Sequence, residues 1–265
     1  MGKLADLASI KTANSDSFVY TPPDAAFNAP RILVKVSMAY EAPHPATVSL
    51  PVLAAVLRGL RRASPVGRIL IVDGSIGEGD IHERFEQHGL TDILDREMRL
   101  SDSEELVLTR YLNTSPQPAK YDDLLAPAYI QEFDCAISVA PLKRTLVDGQ
   151  PLISGSTKNL YELFPRHHYH GSIPNSRAKL YNPDANTVLP DVYFSVGWHF
   201  AGAVIDLTDF YDSPDDKPDH AEGVSRHVGK VVWGDDMVAV DDAACRTAGI
   251  DVPDYLTHIQ KLRGD

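Results

Sequence analysis

Apolar residues fall along this chain in short continuous runs, separated by longer stretches of helical spacing. RILVKV at 31–36 follows Pro30, and VSLPVLAAVLRGLRRAS at 48–64 then brings apolar positions back every three or four residues. RILIVDG at 68–74 restores the strand signal. A second helix is predicted from Asp80, whose carboxylate suits an N-cap, through IHERFEQH to Gly89, a residue suited to a left-handed stop. FDCAISVAP at 133–141, AGAVIDL at 201–207 and GKVVWG at 229–234 are further continuous runs. Strands that are apolar without alternation are buried on both faces, as in a parallel sheet covered by helices on each side. The pattern predicts an α/β fold: a doubly wound, mostly parallel sheet with helices on both faces. A further helix is expected near SDSEELVLTRYL at 101–112. Residues 1–30, rich in Ser, Asp, Asn and Pro, read as a surface arm, and 31–265 as a single α/β domain.

Charge narrows the choice of partner. With 25 basic and 37 acidic residues the formal charge is -12, which repels a phosphate backbone, so nucleic acid is not an expected partner. No apolar run is long enough for a membrane span and no secretory signal stands at the start, so a cytoplasmic protein that makes no membrane contact is expected. The expected partner is a small-molecule substrate, and self-association into a homo-oligomer stays open. Cys135 and Cys245 lie in apolar segments without metal or redox spacing and read as small core residues. No GxSxG elbow is present, so acyl transfer through Ser or Cys is disfavoured.

Ligands of doubly wound sheets collect at the carboxyl ends of the strands, and those ends carry the candidate chemistry. Lys35 ends the first strand, with His44 shortly beyond it. GSIGEGD follows the second and sets Gly74, Ser75 and Gly77 between strand and helix, where backbone amides suit an anionic group or merely close a tight turn. Lys143 in APLKRT and Lys158 with Asn159 in STKNLYELFP could hold a carboxylate or phosphate, or be solvated charges. HHYHG places His167, His168 and His170 within five residues. Either an extended or a helical geometry offers two of these imidazoles to one ion, and the alternative is a polar loop. His44, His199 and Asp206 are the candidates to complete the set. Two or three histidines with a carboxylate suit non-haem iron or catalytic zinc.

These motifs in this order resemble the family catalogued as domain of unknown function 362. The elements that carry the resemblance are ILVKVS with Lys35, APHP with His44, IVDGS with Asp73, APLKRT with Lys143, STKNLYELFP with Lys158 and Asn159, and WGDDMVAVDDAACRTAGI with Asp235, Ala239 and Asp241. Three departures are Val36-Ser37 after Lys35, Thr145 in place of a histidine, and DLTDFYDSPDD where the family is glycine-rich. Some relatives carry ferredoxin-type clusters, for which this chain lacks the cysteines. The family description supplies no reaction.

The function expected from the residues is a metal-dependent enzyme, with Fe(II) favoured over zinc, acting on a small polar or anionic metabolite; an oxygenase in specialised biosynthesis fits this description. His44, His168, His170, His199 and Asp206 are the expected ligands. Lys35, Lys143 and Lys158 are the expected catalytic cations, and Gly74, Ser75, Gly77 and Asn159 the expected substrate contacts. The alternatives are a metal-free isomerase or lyase using Lys and Asp, and a binding module that holds an anion without turnover.

Overall fold

Each apolar run becomes a strand in the computed structural model, which describes residues 9–264 apart from 106, 148 and 214–222. The first half contains β1 (Lys11–Asn14), β2 (Arg31–Val36), α1 (Leu50–Ala63), β3 (Arg68–Asp73), α2 (Ile81–Gln87), β4 (Met98–Asp102), β5 (Leu108–Leu112) and β6 (Asp123–Pro127). The second half contains β7 (Cys135–Val147), β8 (Gln150–Ser154), α3 (Arg166–Tyr169), α4 (Ala185–Ser195), β9 (Gly202–Asp212), β10 (Val224–Gly234), α5 (Met237–Ala248) and α6 (Asp254–Arg263). The main sheet runs β1-β10-β9-β7-β2-β3-β4, with β8 paired to β7, and β5 and β6 form a separate ribbon. The pairs β9–β7, β7–β2, β2–β3 and β3–β4 are all parallel. The mixed, mostly parallel α/β sheet is the predicted one.

Burial on both faces explains why the strands read as unbroken apolar runs. Along β2, Ile32, Val34 and Val36 enter a core shared with α1 and α2, while Leu33 points into the opposite core with α4, α5 and α6. The helix punctuation was also legible in the sequence. The Asp80 carboxylate accepts from the His82 amide at 2.7 Å, and Gly89 adopts φ 71° just beyond the end of α2. Both cysteines are buried, and burial pushes each thiol up to about 12.

Three expectations fail, each for an identifiable reason. GKVVWG belongs to β10, which is antiparallel to β9, because the chain returns after only residues 213–223, too short a link for the crossover a parallel strand needs. The segment 101–112 forms no α-helix among its described residues: helical winding is limited to one 3-10 turn at Ser103–Glu105, where Asp102 accepts from the Glu104 amide (2.9 Å), and the alternating LTRYL then pairs as β5 with β6. Leu106 lies outside the described residues. The arm is also more than surface dressing. β1 closes one edge of the sheet against β10, and Phe18 and Tyr20 are buried in the α1 core, with Tyr20 against Gly59, where a Cβ would sit 2.8 Å from the tyrosine ring. Its first eight residues are outside the described part. Among the described residues, no helix is long and apolar enough to cross a membrane.

Candidate active site

From β2 the chain builds β3 and β4 on one side and only later β7 and β9 on the other, which leaves the usual ligand crevice at the carboxyl ends of β2 and β7. Here the crevice is filled by the protein itself. Lys35 is wholly buried, and its ammonium donates to the Val36 carbonyl (2.7 Å), Asp73 Oδ1 (2.7 Å) and Asn159 Oδ1 (2.8 Å). Those three bonds use all its hydrogens. Asn159 donates in turn to the Lys35 carbonyl at 3.1 Å and to Ser138 Oγ at 3.0 Å, tying β2 to β7. Asp73 also accepts from the Met38 amide at 2.7 Å, and burial pushes its carboxyl above the ordinary range against the pull of Lys35.

Asn159 belongs to a turn at Lys158–Leu163 that α5 holds in place. Asp241 of α5 accepts from the Ser156 amide (2.7 Å), Ser156 Oγ (2.7 Å) and the Thr157 amide (2.9 Å). Glycine is required at 155, since a Cβ there would lie 2.6 Å from Asp241 Oδ1. Asp236 caps α5 by accepting from the amides of Val238 and Ala239.

Outward of this plug lies a cleft of about 690 Å³, lined among others by Tyr40, Gly77, Glu162, Arg177, Lys179 and Tyr181. Glu162 is its chemical centre. The carboxylate is 14% exposed and stands 3.5 Å from the Lys158 ammonium and 4.0 Å from that of Lys35. Burial alone would raise its pKa, but Lys158, Lys35 and Arg177 together hold it below the ordinary carboxylate range. Lys158 is likewise buried, which would discharge it, but Glu162 and Tyr181, which also hydrogen-bonds to it, hold its pKa above the ordinary value. Its ammonium lies 4.4 Å from the Tyr161 ring centre and 5.4 Å from that of Tyr181. Arg177 braces the floor by donating to the carbonyls of Ser75 (3.0 Å) and Glu162 (3.2 Å) and to Glu104 (3.2 Å).

The residues singled out from sequence scatter around this centre. Lys158 stands beside Glu162, and Gly77 lines the cleft. Lys35 and Asn159 form the plug, their polar atoms bonded to Asp73, Ser138 and each other. Lys143 is buried behind the cleft, donating to the Ala46 carbonyl at 2.6 Å with its ammonium 4.3 Å from the Tyr40 ring centre. Gly74 and Ser75 do structural work. A Cβ at Gly74 would collide with the Glu162 carbonyl, and Ser75 Oγ accepts from the Ile81 amide at 3.0 Å at the start of α2.

The five expected metal ligands do not come together. His44 meets Asp206 (Nδ1 to Oδ2, 3.6 Å) and Asp209 (Nε2 to Oδ2, 3.1 Å). Asp206 also accepts from the Ser49 amide at 2.8 Å, anchoring the start of α1. His168 is exposed on α3 and His170 ends that helix, so the histidine-rich stretch is a polar turn, with the His168 carbonyl accepting from Lys179 at 2.9 Å. His199 precedes β9 and so lies at the amino end of the sheet, stacked on Trp198 with 3.8 Å between ring centres. Four strand residues on, at about 3.3 Å each, Asp206 is roughly 13 Å further along. Among the described residues, no group of three or more His, Cys, Asp or Glu is placed to hold a metal ion.

Sequence reasoning missed Glu162, Arg177, Lys179, Tyr40 and Tyr181. Only Glu162 left a signal, standing four residues after Lys158 as an opposite charge.

The model of the family described as "Domain of unknown function (DUF362)" matches residues 32–246. No curated protein matches. Among solved structures, the lactate racemase apoprotein from Thermoanaerobacterium thermosaccharolyticum is similar, with a TM-score of 0.45 and 14% identity over 79% of this chain and 49% of that one. The chain therefore spans about half the length of that structure.

Proposed function

The chain belongs to the DUF362 family, and from that premise we propose that its cleft is the active site of an enzyme that moves protons on a small polar metabolite. The observation that carries this reading is the Glu162 carboxylate, open to the cleft and flanked by Lys158 at 3.5 Å and Lys35 at 4.0 Å. Held ionised by those cations, Glu162 accepts a proton from an acidified C–H or O–H of the substrate. Tyr181, at the cleft wall, donates a proton from its hydroxyl, and the resulting phenolate is stabilised beside the Lys158 ammonium. One proton leaves the substrate and another returns, so the reaction is an isomerisation, or an elimination if a leaving group takes the Tyr181 proton.

Deuterium incorporation tests this directly. Mixtures of small hydroxy and oxo compounds are incubated with protein in D2O and followed by proton NMR. Wild-type protein washes deuterium into at least one compound, and Glu162→Gln and Tyr181→Phe each slow the exchange about 100-fold. Exchange that survives both substitutions, or none with wild type, ends the reading.

One contact supports a second reading, an iron- or zinc-dependent enzyme of the oxygenase type. His44 lies between Asp206 and Asp209, a histidine and carboxylate pairing suited to either metal. His227 Nδ1 also meets Asp209 at 3.1 Å, yet among the described residues no group of three or more His, Cys, Asp or Glu is placed to hold a metal ion. Stoichiometric iron in anaerobically purified protein, lost in His44→Ala and kept in His168→Ala, would select this reading over proton transfer.

A further inference from the structure

We propose that the ligand of the cleft is a small anion, a carboxylate or a phosphate monoester, whose charged group is received by Lys179 at the rim. This rests on the reading of the cleft as the active site. Of the described residues that line the cleft, Glu162 is the one acid, whereas Arg177 and Lys179 are bases. Lys143 adds positive charge behind the wall, over the ring of Tyr40.

The acid is also answered from within. Glu162 has Lys158 and Lys35 within 4.0 Å, so its charge is matched before any ligand arrives. Arg177 is spent on backbone carbonyls and Glu104. Glu78, just outside the lining, accepts from Asn175 Nδ2 at 2.7 Å. Lys179 differs from these groups. It is exposed and donates to the His168 carbonyl at 2.9 Å, leaving two ammonium hydrogens directed elsewhere. In a chain of net charge -12, a cleft with this balance is a local reversal of the field, which concentrates anions at its mouth.

Isothermal titration at low, fixed ionic strength tests the assignment with three probes: malonate, inorganic phosphate, and malonamide as the uncharged counterpart of malonate. Malonate or phosphate is expected to bind one to one, with the preferred anion revealing which group the site takes, and malonamide not to bind. Lys179→Met should weaken binding about tenfold, an exposed position at which folding is not at stake, while Arg96→Met, on a remote surface, should leave it unchanged. Malonamide binding as tightly as malonate overturns the proposal, and so does Lys179→Met binding like wild type. Glu162→Gln separates the two claims. Anion binding in wild type and in this variant, with no deuterium exchange by the wild-type protein on any compound, leaves the ligand class standing and retires proton transfer. Exchange on a neutral compound without anion binding does the reverse.

Discussion

At the scale of single residues, the pairing of Lys158 with Glu162 sets a pH signature. Glu162 titrates below its ordinary 4.5 in the folded protein, so its contribution to stability is complete above that value and is lost as pH falls through the folded pKa. Lys158 titrates above its ordinary 10.5, so its contribution is complete below that value and is lost as pH rises through the folded pKa. Both are in force at neutral pH. Asp73 works with the opposite sign, because its raised pKa favours the folded state on protonation and offsets part of the acid loss. Lys158→Met should therefore destabilise by about 3 kcal/mol at neutral pH, since it leaves a buried carboxylate short of a partner. Calorimetry should show the gap to wild type narrowing as pH falls through the lowered pKa of Glu162; an unchanged gap would mean that the pair's charges contribute nothing. This pair was half legible in the sequence. Lys158 stood out as a cation near an element end, but Glu162 sat within an apolar stretch, and only the fold brings Lys35, Arg177 and Tyr181 around it from distant positions.

At the scale of elements, the site depends on a junction between the 155–163 turn and α5. Asp241 accepts three hydrogen bonds from Ser156 and Thr157 in a fully buried position. Asp241→Ala orphans those donors, and each buried unsatisfied donor costs about 1–3 kcal/mol. A loss of about 3 kcal/mol or more in urea denaturation is expected, with faster amide exchange over 155–163 than over α1. Unaltered exchange in that turn would mean that α5 does not hold it. Helix ends were well read from sequence because caps are local: Asp80 and Gly89 act within a few residues of their own positions. The segment 101–112 was misread because acidic residues that resemble a helix start are used here for one turn before an alternating strand, and β5 exists only through its partner β6. The histidines of 167–170 were legible as a cluster in sequence but not as a cluster in space, since a short helix turns two of them into solvent.

At the scale of the whole molecule, the parallel sheet could be foreseen because burial on both faces is written into each strand. The arm could not. Its polar composition hides two aromatic anchors, and nothing local to residues 11–20 announces β10, more than two hundred positions away. Phe18 packs edge-on against Trp233 with 5.1 Å between ring centres, and both are buried. Phe18→Ala should cost about 3 kcal/mol. Trp233 emission should shift to the red as water reaches it, whereas a spectrum like that of wild type would place the arm outside the core.

Asn159 has a last implication. By stitching β2 to β7 from the inside, it occupies the crevice where sheets of this winding usually take a ligand, so the join between the two halves of the sheet is made by the chain's own side chain.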